Sequence, residues 1–86
     1  MLRAVETLVN SDVNKKVGNH SLRVNGDVYE FIYWDTVICK VNHKDRTYFL
    51  DNGGYNTSST NRAISSYKYH FSKLGYINIS EDEKYK

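Results

Sequence analysis

The sequence has a single cysteine, Cys39, and no apolar run approaching the roughly 20 residues that cross a bilayer. One cysteine excludes an intrachain disulfide and makes a reducing compartment the simpler setting. The stretch M-L-R-A-V-E-T-L-V carries Arg3 and Glu6 and reads as neither a signal peptide nor a membrane anchor. A cytoplasmic protein without membrane attachment is expected. Closely spaced metal ligands are missing as well. His20, His43 and His70 stand in three separate segments, and their spacing fits no compact zinc pattern. Neither a metal nor a cofactor is implied. Asp51-Asn52-Gly53-Gly54 lacks the lysine of a phosphate loop and the alternating oxygen ligands of a calcium loop, so a tight strand-to-helix turn accounts for its glycines. Cys39, His70 and Asp35 or Asp51 could be written as nucleophile, base and orienter. A cysteine inside an apolar strand is more often a small buried hydrophobe, and no adjacent cation on its face lowers its pKa. No catalytic residue is assigned, and an enzyme is not expected.

What is present is one small domain. Eighty-six residues bury only about 60–65% of the surface they expose unfolded, so the core must be modest. Eight tyrosines lift the aromatic share to 14%, which suits a thin core and an adhesive surface alike. The net charge of +2 permits an anionic partner without requiring one. Residues 1–80 read as the domain and 81–86, S-E-D-E-K-Y-K less its serine, as a charged, flexible tail.

Apolar periodicity orders the elements. Leu2, Val5, Leu8 and Val9 have helical spacing, with a strand as the competing reading for 2–9. Residues 10–20 are polar and asparagine-rich, a connecting loop. Asn25-Gly26 between S-L-R-V and D-V-Y-E-F-I-Y-W signals a type I′ hairpin turn. In the following strand Val28, Glu30, Ile32 and Trp34 share one face, and Tyr29, Phe31 and Tyr33 the other. T-V-I-C-K-V and R-T-Y-F-L continue the sheet around Asn42–Asp45. After Gly53-Gly54, Ser58, Ser59 and Thr60 are candidate caps of a helix over 59–74. Ile64, Tyr67, Phe71 and Leu74 mark its buried face, expected against Ile32, Ile38 and Phe49, and Gly75 stands at its C-terminal stop. Tyr76–Ile79 adds an edge strand at most. The fold class is α+β: a small antiparallel meander of three to four strands, a C-terminal helix across one face and a short N-terminal helix.

Three segments of this meander resemble a small domain of unknown function found in bacteriophage and mobile-element proteins. The matching residues are Thr36 and Ile38 of a T-x-I strand; Tyr48, Leu50 and Asn52 of a Y-x-L-x-N strand; and Tyr55-Asn56-Thr57-Ser58-Ser59-Thr60-Asn61-Arg62 at the start of a helix. Arg62 stands where that pattern usually has histidine, and Gly53-Gly54 is an insertion. The resemblance covers about residues 36–64. It implies a phage origin and a meander-plus-helix fold, and no catalytic residue.

Two surfaces carry binding character. On the helix, Arg62, Ser66, Tyr69 and Lys73 fall on one stripe with Lys68 beside it, and no acidic residue interrupts them. Arginine, lysine and tyrosine together suit phosphate contacts and base stacking, although a basic run is often only a solvated face. On the sheet, Tyr29, Phe31 and Tyr33 form an aromatic row. With one helix available, that row is either covered by the N-terminal helix or open to a partner, and an open row would suit a homodimer. The expected function is a non-enzymatic interaction protein of phage or mobile-element origin. It would bind a host protein or nucleoprotein complex and inhibit or modulate it, an anti-defence or anti-CRISPR inhibitor being one form. The alternative is a small DNA- or RNA-binding protein that uses the basic helix face.

Overall fold

Three two-residue turns fold the first half of the chain into a ladder. In the computed structural model, which describes residues 1–86, β1 (Lys15–Val17) meets β2 (His20–Asn25) through Gly18-Asn19. β2 meets β3 (Val28–Tyr33) through Gly26-Asp27, and β3 meets β4 (Thr36–Asn42) through Trp34-Asp35. The second hairpin therefore closes one residue later than the Asn-Gly signal predicts. A four-residue turn leads to β5 (Thr47–Leu50). Helix α1 (Arg3–Val9) precedes the sheet, and α2 (Ser58–Lys73) follows it. β6 (Ile77–Asn78) then returns parallel to β5, giving six strands in chain order. The α+β class holds, with β1 added to the meander and the edge strand expected within Tyr76–Ile79 present as β6. β1 forms within the polar 10–20 segment, where Asn14 Oδ1 accepts from the Val24 N–H at 2.7 Å. β6 is held by the Ser80 hydroxyl, which accepts from the Leu50 N–H at 2.8 Å.

Both helices pack on one face of this sheet. The strand register lines up Leu22, Phe31, Cys39 and Leu50 across four strands, and all four are buried. A β-bulge in β4 lets Ile38 and Cys39 both turn inward, which strict alternation forbids. From α2, Ala63, Ile64, Tyr67 and Phe71 descend onto this row, with ring centroids of Phe31 and Tyr67 4.6 Å apart. α1 is seven residues long and lacks a side-chain cap. Its helicity comes from tertiary packing, since Val5 and Leu8 are wholly buried and so short a helix is unstable alone. No helix is long and apolar enough to cross a membrane.

The choice of face corrects the sheet reading. Ile38 is core as expected, but Ile32 and Phe49 lie half-buried on the opposite face. Glu30 supplies the physical reason, because it shares the Ile32 face and a carboxylate stays in water unless it is paired. On that open face it takes Arg23, Nε to Oε1 at 2.8 Å, with Lys40 opposite on β4. Leu74 also departs from expectation: it is 46% exposed, because α2 has ended at Lys73. Gly75 and Tyr76 close the helix by donating to Ser72 O and Phe71 O, the paired bonds of a Schellman stop. The Tyr76 ring then lies 5.7 Å from Phe71. The 81–86 segment is not loose either. Glu83–Tyr85 forms a 3₁₀ turn, and Tyr85, 5% exposed, joins the core with its hydroxyl on Asn61 Oδ1 at 3.1 Å.

Two substitutions in α2 should move stability in opposite directions. Phe71→Ala deletes a buried aromatic ring and should cost about 3–5 kcal/mol in a denaturant titration. Tyr67 carries a buried hydroxyl with no hydrogen-bond partner. An unmet buried polar group costs about 1–3 kcal/mol, so Tyr67→Phe should leave stability unchanged or raise it. Loss of stability in Tyr67→Phe would mean that the hydroxyl has a partner.

Candidate functional site

Trp34 is the least expected residue in its place. Gly18, Gly26 and Trp34 each open a two-residue turn, and each has positive φ, at 61°, 60° and 56°. Asn19, Asp27 and Asp35, the second residues of these turns, do not share it. A turn with φ positive only at its first residue is a type II′ position, the natural seat of glycine. The first two turns obey that rule. The third places the only tryptophan of the chain there, at a cost of roughly 1–3 kcal/mol for a bulky residue in a sparsely allowed region. Packing returns little of this, because Trp34 is 64% exposed and its one aromatic neighbour, Tyr33, is 6.4 Å away. The Trp34 N–H donates to Asn19 O at 2.8 Å, which holds the strained turn against its neighbour.

Beside this turn lies a cleft of about 410 Å³. One wall is the β3–β4 turn, Tyr33 to Thr36, with Ile38 at its base. The other is the loop before α2 and that helix's first turn, with Asn52, Tyr55, Thr57, Ser59 and Thr60. Local chemistry fixes the second wall. Asp51 Oδ1 and Asn52 Oδ1 accept from the Gly53 and Gly54 N–H groups, which folds the loop tightly. Gly53 lies so close to Thr36 that a Cβ would sit inside its methyl group, so loop and β4 make direct contact. Thr57 rather than Ser58 caps α2, accepting from the Thr60 N–H at 3.2 Å. Tyr55 is left 62% exposed across the cleft from Trp34. The site thus offers two exposed rings, a row of neutral hydroxyls and amides, and one carboxylate, Asp35.

The T-x-I strand, the Y-x-L-x-N strand and the Y-N-T-S-S-T-N-R helix entry meet at this cleft. Thr36 and Ile38 come from the first, Asn52 from the second, and Tyr55, Thr57, Ser59 and Thr60 from the third. Trp34 itself was legible only as a strand residue: the signal that marks it, equal turns at positions 18, 26 and 34, needs the register to be seen.

The basic stripe survives in part. Arg62 and Lys73 are exposed, Tyr69 is 59% exposed, and Lys73 Nζ sits 5.7 Å from the Tyr69 ring centroid. Ser66 leaves the stripe. It is buried under α1, accepting from the Leu2 N–H at 3.3 Å and donating to Arg62 O at 3.0 Å. Lys68 turns to the other flank, where its Nζ donates to Lys86 O at 2.9 Å. The aromatic row is covered rather than open, closed over Phe31 by α2 instead of by the N-terminal helix, and of its rings Tyr33 alone lines the cleft. Phe31 is core beneath Tyr67 and Phe71, while Tyr29 and Tyr33 are half-buried on the same covered face. Tyr33 stacks on His20 at 4.6 Å and Tyr29 meets His43 edge-on at 4.3 Å. A homodimer built on these three rings has no open face to use.

The titratable groups are distributed as packing partners. His20, His43 and His70 sit apart, and partial burial lowers the pKa of each; Asp27 opposes the effect at His43, and Lys73 adds to it at His70. His43 Nδ1 shares a hydrogen bond of 2.7 Å with the Tyr76 hydroxyl. No three His, Cys, Asp or Glu side chains converge on a common point. Cys39 is buried at the centre of the sheet, and burial pushes its thiol pKa up, opposite to what a nucleophile needs.

Trp34→Gly separates the fold's need from the site's. Glycine relieves the positive φ but adds unfolded-state freedom worth roughly 0.5–1 kcal/mol. The net expectation is a protein about 1 kcal/mol more stable, read as a raised denaturant midpoint with unchanged slope. A destabilised Trp34→Gly protein would show that the indole serves the fold after all.

No protein-family model matches the chain, and neither a curated protein nor a solved structure is found to be similar to it.

Proposed function

We propose that the chain is a non-catalytic binding protein that engages a protein partner through the Trp34–Tyr55 cleft. The observation that carries this reading is Trp34: a large exposed ring at a turn position where glycine would serve the fold better. Strain of this kind clusters at binding and catalytic sites, and tryptophan and tyrosine are the usual anchors of protein interfaces. The volume of the cleft, about 410 Å³, suits one or two inserted side chains. The resemblance of residues 36–64 to the phage domain supports a host macromolecule as the partner and inhibition or modulation, of the anti-defence kind, as the outcome. It also supports action in the cytoplasm of the host cell.

A second reading keeps the nucleic-acid function on Arg62, Tyr69 and Lys73. It is favoured by one observation: these three side chains remain exposed together on α2, with no acidic residue among them.

Affinity capture from bacterial host lysate with and without nuclease treatment, together with a nucleic-acid titration at two salt concentrations, distinguishes the two. On the first reading one partner is recovered by the wild-type protein, is lost with Trp34→Ala or Tyr55→Ala, and is retained with Arg62→Ala/Lys73→Ala. Truncating an interface anchor costs about 2 kcal/mol or more, a loss of roughly thirtyfold in affinity. On the second reading the cleft variants bind normally, while the Arg62/Lys73 variant loses nucleic-acid affinity and shows a flatter dependence on salt. Equal capture by the wild-type and Trp34→Ala proteins would remove the cleft from consideration.

A further inference from the structure

We propose that the cleft takes an arginine side chain from a basic segment of the partner, with the guanidinium stacked on Trp34 and paired to the Asp35 carboxylate. This rests on the protein-binding reading of the same cleft and gives it a ligand chemistry. None of the ten residues that line the cleft is lysine, arginine or histidine, and its one formal charge is Asp35. That is unusual siting in a chain whose overall charge is +2.

The acidic character extends beyond the lining. Glu81, Asp82 and Glu83 follow Ser80, which is bonded to the Leu50 N–H next to Asp51. Asp82 and Asp51 both act on the Tyr85 phenol. Cations offset part of this: Lys84 Nζ lies 2.6 Å from Asn56 Oδ1, Lys86 Nζ pairs with Glu83 Oε1 at 3.4 Å, and Lys68 Nζ donates to Lys86 O, so Asp35 is what sets the sign inside the cleft. Opposing the acids is the start of α2, whose free amides amount to about half a positive charge. The Asp35 carboxylate outweighs that. A phosphate or carboxylate ligand would therefore meet repulsion at Asp35, whereas a cation is drawn in.

Among cations the geometry selects guanidinium. Trp34 offers an exposed indole face, and tryptophan is the strongest aromatic partner for a cation. The carboxylate stands on the adjacent residue of the same turn. A planar fork can stack on the ring and donate two parallel bonds to the carboxylate, which a compact ammonium cannot do. Tyr55 on the opposite wall closes the stack.

The single tryptophan supplies the measurement. Trp34 fluorescence is followed while the full chain is titrated with a capped Gly-Arg-Gly peptide, its citrulline and lysine counterparts, and guanosine monophosphate. A saturable change with the arginine peptide is expected. Replacing arginine by citrulline, or making Asp35→Asn, should weaken binding roughly tenfold or more, the scale of a charge-assisted contact. Asp35 is exposed in a turn, so thermal unfolding of Asp35→Asn should match wild type and show that the loss is not a folding defect. No saturable response to the arginine peptide, equal binding of citrulline or lysine, or unchanged binding by Asp35→Asn would each overturn the proposal. So would a saturable response to the nucleotide alone. If Trp34→Ala loses the macromolecular partner while the arginine peptide fails to bind, the cleft stands as the interface and only the guanidinium chemistry falls.

Discussion

Phe71 is the point on which the two layers close. Its ring meets Phe31 and Tyr48 from the sheet, at centroid separations of 5.8 and 5.9 Å, and Tyr76 from the chain just beyond the helix at 5.7 Å. His70 packs edge-on against it at 4.9 Å from within α2. A sheet with one covered face has a single seam in which to bury apolar area, so the contacts of that seam cannot be replaced elsewhere. Aromatic rings suit it because each brings a large buried area from one position in a short chain. The seam also explains the end of α2. The Schellman stop places Tyr76 over Phe71, and that placement aims the chain back along β5 as β6.

Fixing α2 at this end fixes what happens at the other. The helix is rigid over sixteen residues, so once Phe71 and Tyr67 are seated, its N-terminal turn must overhang the end of the sheet where β3 turns into β4. Two further ties hold it there: the Thr57 cap, and the Tyr85 hydroxyl on Asn61. Gly53 against Thr36 sets the distance between loop and strand. The cleft is therefore built on secondary structure rather than on a free loop, and its rings are presented by backbone that is already committed. Preorganisation of this kind lowers the entropic cost of binding a partner.

Much of the fold was legible in the sequence, and the misses share a cause. Period-3.6 spacing gave Ile64, Tyr67 and Phe71 correctly, and period-2 spacing gave β3 and its two faces. Which face the helix covers was misread, though Glu30 held the answer. A charge on the Val28–Ile32 side marks that side as solvated, and register confirms it by setting Arg23 and Lys40 on either side of Glu30. The edge strand read at Tyr76–Ile79 is present as β6, whereas β1 escaped because a short edge strand owes its existence to its partner, not to propensity. Tyr85 escaped because its run of charged neighbours resembles a solvated tail, while burial of one ring and a 3₁₀ turn are enough to dock it. Of the site, the Thr36–Ile38, Tyr48–Asn52 and Tyr55–Arg62 motifs were legible and their convergence was not. Trp34 looked like one more apolar strand residue until its turn was known.

The distribution of charge along α2 constrains what the two candidate surfaces can do together. At the C-terminal half, Tyr69 and Lys73 form a cation–π pair, and Arg46 reaches from the β4–β5 turn to donate to Leu74 O at 3.2 Å. At the N-terminal end stands Asp35, in the cleft wall facing the first turn. Each sign opposes the helix dipole at its own end, so both arrangements also stabilise α2. A nucleic-acid strand laid along the helix would be attracted by Arg62 and Lys73 and repelled where it reached Asp35. A protein partner has no such restriction, since it can present an acidic patch to Lys73 and a basic one to Asp35. Complementary charges of both signs would fix the orientation in which the partner docks, with the Trp34 ring supplying the desolvated contact between them. On the proposed protein-binding reading, the strain held at Trp34 fits that division of labour: the charges would steer and orient, and the ring that the turn would rather not carry would make the anchoring contact.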